Sequence, residues 1–240
     1  MSTPLSLKST PEEIRERFDK DVERFSKLEV GQSVAIDSVL CLEIIARAAA
    51  RTTPQAQRVL DIGCGAGNFT LRLKGELDFS QVTFVDLSAP MLERAKQRAT
   101  EAGIDADTIQ IDMRELDLEA ESYDVILAGA TLHHLREDAE WEAMFAKLVR
   151  ALRPQGSIWI FDLITHEIPG VQDLQWDRYR EHLLTMGDDA FVERIFGYID
   201  QEDTPRPVTY QLDLLRRSGL SCVDILHKNG NFAAFGGAKC

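Results

Sequence analysis

Residues Arg58 to Thr70 read RVLDIGCGAGNFT, and this stretch decides the fold. Arg58 to Ile62 is a short apolar run with strand composition. It turns at Gly63, Gly65 and Gly67 into an amphipathic segment bearing Phe69, Leu71 and Leu73, read as helix. Glycines on a strand-to-helix turn let a ligand lie against the backbone, where a Cβ would intrude. The dinucleotide fingerprint GxGxxG fails here, because its last position falls on Asn68 or Thr70. The Lys-Ser/Thr ending of a phosphate-binding loop is also absent. Asp61, on the same turn, would repel a pyrophosphate and suits a ligand with ammonium and sulfonium charge.

The pattern continues outward as alternating strands and helices. Val82 to Asp86 is a second strand, and Pro90 to Ala102 a helix closed by Gly103. A third strand is expected around Thr108 to Ile111, a fourth at Tyr123 to Leu127 and a helix at Trp141 to Leu152. Arg153-Pro154-Gln155-Gly156 reads as a turn before a fifth strand, Ser157 to Leu163. Apolar strands separated by helices imply a parallel sheet covered on both faces. Asp86 ends the second strand, where an acidic residue can accept both hydroxyls of a ribose or else cap the next helix. Asp112-Met113 follows the third strand; the carboxylate could accept from an adenine amine, with Met113 and Leu87 against the ring. S-adenosylmethionine (SAM) has the cationic groups, the ribose and the adenine, and no phosphate.

VLDIGCGAGNFT, TFVDLSAPMLERAK, IQIDM, YDVILAGATLHHL and LRPQGSIWI occur in this order between Arg58 and Asp162. Together they resemble the class I SAM-dependent methyltransferases. The resemblance implies a Rossmann-like α/β fold with a seven-stranded sheet, order 3-2-1-4-5-7-6, whose seventh strand is antiparallel. The Asn229-Gly230 turn between Cys222–His227 and Asn231–Ala238 is the hairpin that this topology requires. It further implies that Asp61 and Gly63 to Gly67, Cys64 and Gly65 included, line the methionine end. Asp86 would then take the ribose and Asp112 the adenine, and Ala128-Gly129 would lie under the sulfonium. FDKDVERFSKLEVGQSVAIDSV and HKNGNFAAFGGAK are similar in layout to carboxy-SAM synthases of tRNA wobble-uridine modification. Here, however, the glycine loop is more regular, and no arginine maps onto the carboxylate clamp of those enzymes.

His133-His134 follows the fourth strand, where a histidine could serve as general base toward an acceptor; packing or capping is the plain alternative. No metal site is expected: Asp162 and His166 lie at a strand end and read as structural. Residues 1–54 read as an N-terminal helical lid, with Thr10 capping a helix that carries Ile14, Phe18, Val22 and Phe25 and ends at Gly31. A second helix should run from Ser33 to Arg51. Residues 55–240 form the SAM-binding domain, interrupted at about 165–207 by a helical insertion rich in aromatics (Trp176, Tyr179, Phe191, Phe196, Tyr198). That insertion, with Phe18 and Phe25, is expected to build the acceptor pocket.

The chain has 240 residues and a formal net charge of -13, which argues against nucleic acid and for a small-molecule acceptor. Cys41, Cys64, Cys222 and Cys240 form no CxxC pair, so neither a disulfide framework nor a cysteine zinc site is expected. The most apolar stretch, Val34 to Ala50, holds Asp37, Glu43 and Arg47 and is too charged to span a membrane. A cytoplasmic enzyme results, compatible with a homodimer. The function expected is methyl transfer from SAM to a small molecule. The alternatives are a SAM-modifying synthase, which would need Arg178, Arg180 or Arg194 as a carboxylate clamp, and a non-catalytic SAM-binding subunit.

Overall fold

The computed structural model describes residues 3–27 and 33–239. The helix end expected at Gly31 lies outside the described residues. Strands β1 (Arg58–Ile62), β2 (Gln81–Asp86), β3 (Asp105–Gln110), β4 (Tyr123–Gly129), β5 (Leu152–Leu163), β6 (Cys222–Asn229) and β7 (Phe232–Ala238) form one sheet, ordered β3-β2-β1-β4-β5-β7-β6. Strands β1 to β5 pair in parallel, while β7 runs antiparallel to both β5 and β6. This is the expected seven-stranded topology.

The helices are α1 (Pro11–Asp19), α2 (Val22–Phe25), α3 (Ser38–Thr52), α4 (Asn68–Lys74), α5 (Ala89–Glu101), α6 (Asp138–Ala151), α7 (Pro169–Leu184), α8 (Asp189–Glu202) and α9 (Val208–Arg217). Period-two alternation along the central strands sorts side chains into two buried layers. Val59, Val125, Leu127 and Phe161 face one side, packed with α3, α4, α5, α7 and α8. Leu60, Ile62, Ile126 and Ile160 face the other, packed with α6 and α9. Within α3, Leu42, Ile45, Ala46 and Ala49 make the buried stripe, spaced as a helix face requires. No helix among the described residues is long and apolar enough to cross a membrane. Cys41 and Cys64 are free.

Four local expectations change. The first helix breaks at Lys20, whose N–H returns to the Arg17 and Phe18 carbonyls, so Val22 and Phe25 lie on the separate turn α2. Helix α3 starts at Ser38 rather than Ser33, because Asp37 is left-handed (φ 58°) and its carboxylate binds His227 and Asn229 of the terminal hairpin, both at 2.8 Å. Strand β3 begins earlier, at Asp105: its polar sequence carries no apolar pattern, and pairing with Gln81 of β2 extends it. Arg153 to Gly156 is an irregularity inside β5 rather than a turn before it. Gln155 takes φ 65°, and its N–H donates to the Lys239 carbonyl at 2.8 Å.

Candidate active site

The parallel strands all end at one edge of the sheet, where open α/β sheets bind ligands. There the loops after β1 to β4 wall a cavity of about 280 Å³. Ile14, Arg17, Phe18 and Phe25 of α1 and α2 close it from one side, and Tyr179, Ile195 and Tyr198 of α7 and α8 from another. The insertion and the N-terminal helices thus meet over the same space. Arg17 joins them: its guanidinium pairs in two-point fashion with Glu202, which is 5% exposed, and lies over the rings of Phe18 and Tyr198. Thr10 caps α1 through a reciprocal bond with Glu13, fixing where that helix enters.

The glycine turn is built for close approach. Gly63 has φ 60°, and a Cβ there would stand 2.1 Å from Thr131 Oγ1. Gly65 has φ 49°, and a Cβ there would meet nothing within 4 Å, so its face is open cavity. Gly63, Cys64 and Gly65 line the wall. Burial pushes the Cys64 thiol well above its ordinary pKa, so it serves as wall rather than nucleophile.

Asp86 lines the cavity and anchors the turn. Its Oδ2 accepts from the Gly65 N–H and its Oδ1 from the Ser88 N–H, both at 2.9 Å. Burial raises its pKa above the ordinary value, and these backbone donors offset part of the rise. Asp112, Met113 and Leu87 also line the wall. Asp112 is half-buried, but the Arg114 guanidinium and N–H hold its carboxyl below the usual range.

Three expected residues sit elsewhere. Asp61 is 1% exposed and is not in the cavity wall; its Oδ2 accepts from the Thr70 hydroxyl at 2.7 Å, tying β1 to α4. Burial pushes its pKa up to about 7, against the pull of Thr70. Ala128 points into the layer under α6, and the residues that reach the cavity from this strand are Gly129 and Ala130. Gly67 packs against Ala95 of α5 and starts α4 in the left-handed region (φ 79°), outside the wall.

His133 does line the cavity. Its backbone N–H donates to Asp162 Oδ2 at 3.0 Å, its ring Nδ1 meets Asp162 Oδ1, and its Nε2 stands 3.7 Å from Asp203 Oδ1. Burial works against charge on this ring, but Asp162 and Asp203 outweigh it and hold the pKa at about 9. An imidazole in that state holds its proton at neutral pH, which argues against the general-base role expected for it. Asp162 serves His133 rather than His166, which meets Gln172 and Lys228. Trp176 and Phe196 pack against Tyr179 in tilted and edge-on contacts without lining the cavity themselves. Arg178, Arg180 and Arg194 bind Gln175, the Asp189–Glu193 pair and the Phe191 ring, away from the cavity. Sequence reasoning missed Asp203 and Arg17, for which no motif exists, and Thr131, which lies inside YDVILAGATLHHL.

Residues 59–156 match the family described as methyltransferase domain. A 27-O-demethylrifamycin SV methyltransferase of Amycolatopsis mediterranei is 32% identical over 126 residues, 52% of this chain and 45% of that protein. The chain thus spans about half the length of that relative. A carboxy-S-adenosyl-L-methionine synthase of Nautilia profundicola is 22% identical over 179 residues, 74% of this chain and 75% of that protein. The crystal structure of a proposed O-methyltransferase from Nostoc punctiforme superposes with TM-score 0.68 at 21% identity, covering 99% of this chain and 64% of that one. Residues 59–156 therefore match a methyltransferase domain, and the sheet that carries them has the fold of the class I SAM-dependent methyltransferases.

Proposed function

We propose that this chain is a SAM-dependent methyltransferase acting on a small-molecule acceptor. One observation carries the reading: a single cavity joins the walls suited to SAM with a side lined by Phe18, Phe25, Tyr179 and Tyr198. The first set fits the group. Gly65 leaves open space where a side chain would stand, and Asp86 keeps accepting capacity beyond its two backbone donors. Asp112 is held anionic, and Leu87 and Met113 offer apolar surface for a flat ring. SAM, when bound, supplies a methyl group on an electrophilic sulfonium.

The chain's own residues then act by placement. Asp86 accepts from a diol, and Asp112 accepts from an exocyclic amine. Residues 1–54 act as a lid on a SAM domain of residues 55–240, with the Arg17–Glu202 pair as its fastening. Closing α1 and α2 over the cavity excludes water and orients the acceptor, which supplies much of what methyl transfer needs. A net charge of -13 supports a small acceptor over nucleic acid, and free Cys41 and Cys64 suit the cytoplasm.

Calorimetry of the purified chain with SAM, S-adenosylhomocysteine and NAD tests the cofactor, and methyl-labelled SAM with an acceptor panel tests the transfer. Tighter binding of NAD than of SAM would overturn the reading. A second reading, chemistry on SAM itself, is favoured by the carboxy-SAM synthase relative, which aligns over most of this chain. It needs a cation free to hold a second carboxylate. The cavity arginines Arg17, Arg24 and Arg114 are already paired with Glu202, Asp21 and Asp112. Mass spectrometry of ligand retained on purification separates the two.

A further inference from the structure

We propose that His133, His134 and Asp203 form a binding site for a divalent first-row transition metal ion in the cavity wall. The two histidines lie on the short turn Leu132–His134 after β4, and Asp203 caps α8. The Thr204 N–H donates to the His133 carbonyl at 2.7 Å, so the two segments are clamped side by side. One ligand atom from each of the three residues falls within 4.8 Å of the others. Asp203 Oδ1 stands 3.3 Å from His134 Nδ1 and 3.7 Å from His133 Nε2. Ligands about 2.1 Å from one ion are separated by roughly these distances, so small side-chain shifts close the set around it.

Two further observations point to a ligand. His134 Nδ1 is buried and makes no aligned hydrogen bond among the described residues, its nearest partner being Asp203 Oδ1 at 3.3 Å. A buried ring nitrogen without an aligned partner is a cost unless something occupies that position. Asp162, fully buried, grips His133 through both the backbone N–H and ring Nδ1. That contact leaves Nε2 as the ligating atom, the arrangement in which a carboxylate orients a metal-binding histidine. The ion takes the place of the Nε2 proton.

Two imidazole nitrogens and one carboxylate oxygen favour Zn²⁺, Fe²⁺ or Co²⁺ over the oxygen-seeking Mg²⁺ and Ca²⁺. Three protein ligands leave positions open, and all three residues line the cavity, so an oxygen of the acceptor fits the remaining positions. The three protein ligands are set by geometry alone, whereas the acceptor oxygen as a further ligand rests on the methyl-transfer reading.

The test is Co²⁺ titration of the full chain after chelator dialysis, read by visible absorption and calorimetry, with Zn²⁺ as competitor. The expected result is saturable 1:1 binding with the spectrum of a nitrogen–oxygen site. His134→Gln, which removes a ring nitrogen that makes no aligned hydrogen bond among the described residues, should weaken Co²⁺ binding by more than about 100-fold, and Asp162→Asn by about 10- to 100-fold. Asp203→Asn provides a second ligand variant, and a cooperative melt shows that each variant is folded. Absence of 1:1 binding by the folded wild type, or undiminished binding by His134→Gln, would overturn the proposal. SAM calorimetry on the same samples reports separately on the methyltransferase reading.

Discussion

Replacing Asp86 with alanine is the most direct probe of the cofactor wall. In the folded chain each Asp86 oxygen accepts one backbone N–H at 2.9 Å, from Gly65 and from Ser88, and the carboxylate faces the cavity. A ribose diol would donate to the lone pairs that remain. A hydrogen bond to a charged acceptor contributes about 1.5–3 kcal/mol. Asp86→Ala should therefore weaken SAM binding by about 1.5–3 kcal/mol, roughly 10- to 150-fold in Kd. Asp86→Asn keeps one carbonyl oxygen and should lose less. Because burial raises the Asp86 pKa, wild-type affinity should fall on acidification sooner than an ordinary aspartate would cause. Calorimetry with SAM and S-adenosylhomocysteine reads each effect, with a melting curve to show that the variants are folded. A folded Asp86→Ala protein that binds SAM within twofold of wild type would refute the assignment of this wall.

The other predictions address neighbouring parts of the fold. Asp61 is held at about 7, above its ordinary 3.8, so its contribution to stability is full below pH 4 and gone above about 7. Asp61→Asn can still accept from Thr70 but buries no charge; its melting-temperature advantage over wild type should grow from pH 5 to pH 7.5 and then flatten, and a pH-independent difference would contradict the burial of Asp61. Glu202→Gln breaks the pair with Arg17, so hydrogen exchange in residues 11–25 should accelerate while the central strands keep their protection. Unchanged exchange there would show that the pair does not fasten the N-terminal helices. Tyr198 lines the cavity yet is 41% exposed, so Tyr198→Ala should fold, bind SAM within about twofold of wild type and lower kcat/KM for the true acceptor. Loss of SAM affinity instead would place the cofactor on the wrong side of the cavity.

The sequence by itself determined the sheet and the position of the ligand edge. A strand, a glycine turn and a helix are contiguous in Arg58 to Thr70, and strand–helix alternation with short connections leaves one right-handed parallel arrangement. Asp86, Leu87, Asp112 and Met113 were legible because each ends a strand of that arrangement or lies within three residues after one. Which way a residue points was not legible, since alternate residues of a strand face opposite layers and a one-residue slip exchanges them. Asp61 therefore turns toward Thr70, and the cavity receives Gly129 and Ala130 in place of Ala128. Contacts between segments far apart in the chain were also invisible. Arg17 meets Glu202, His133 meets Asp162, and Asp203 closes on His134 only after α8 folds back over the sheet edge. Such contacts are set by packing across the whole molecule. Lone charged residues in a chain with 40 acidic side chains carry no local signal of which partner they will find.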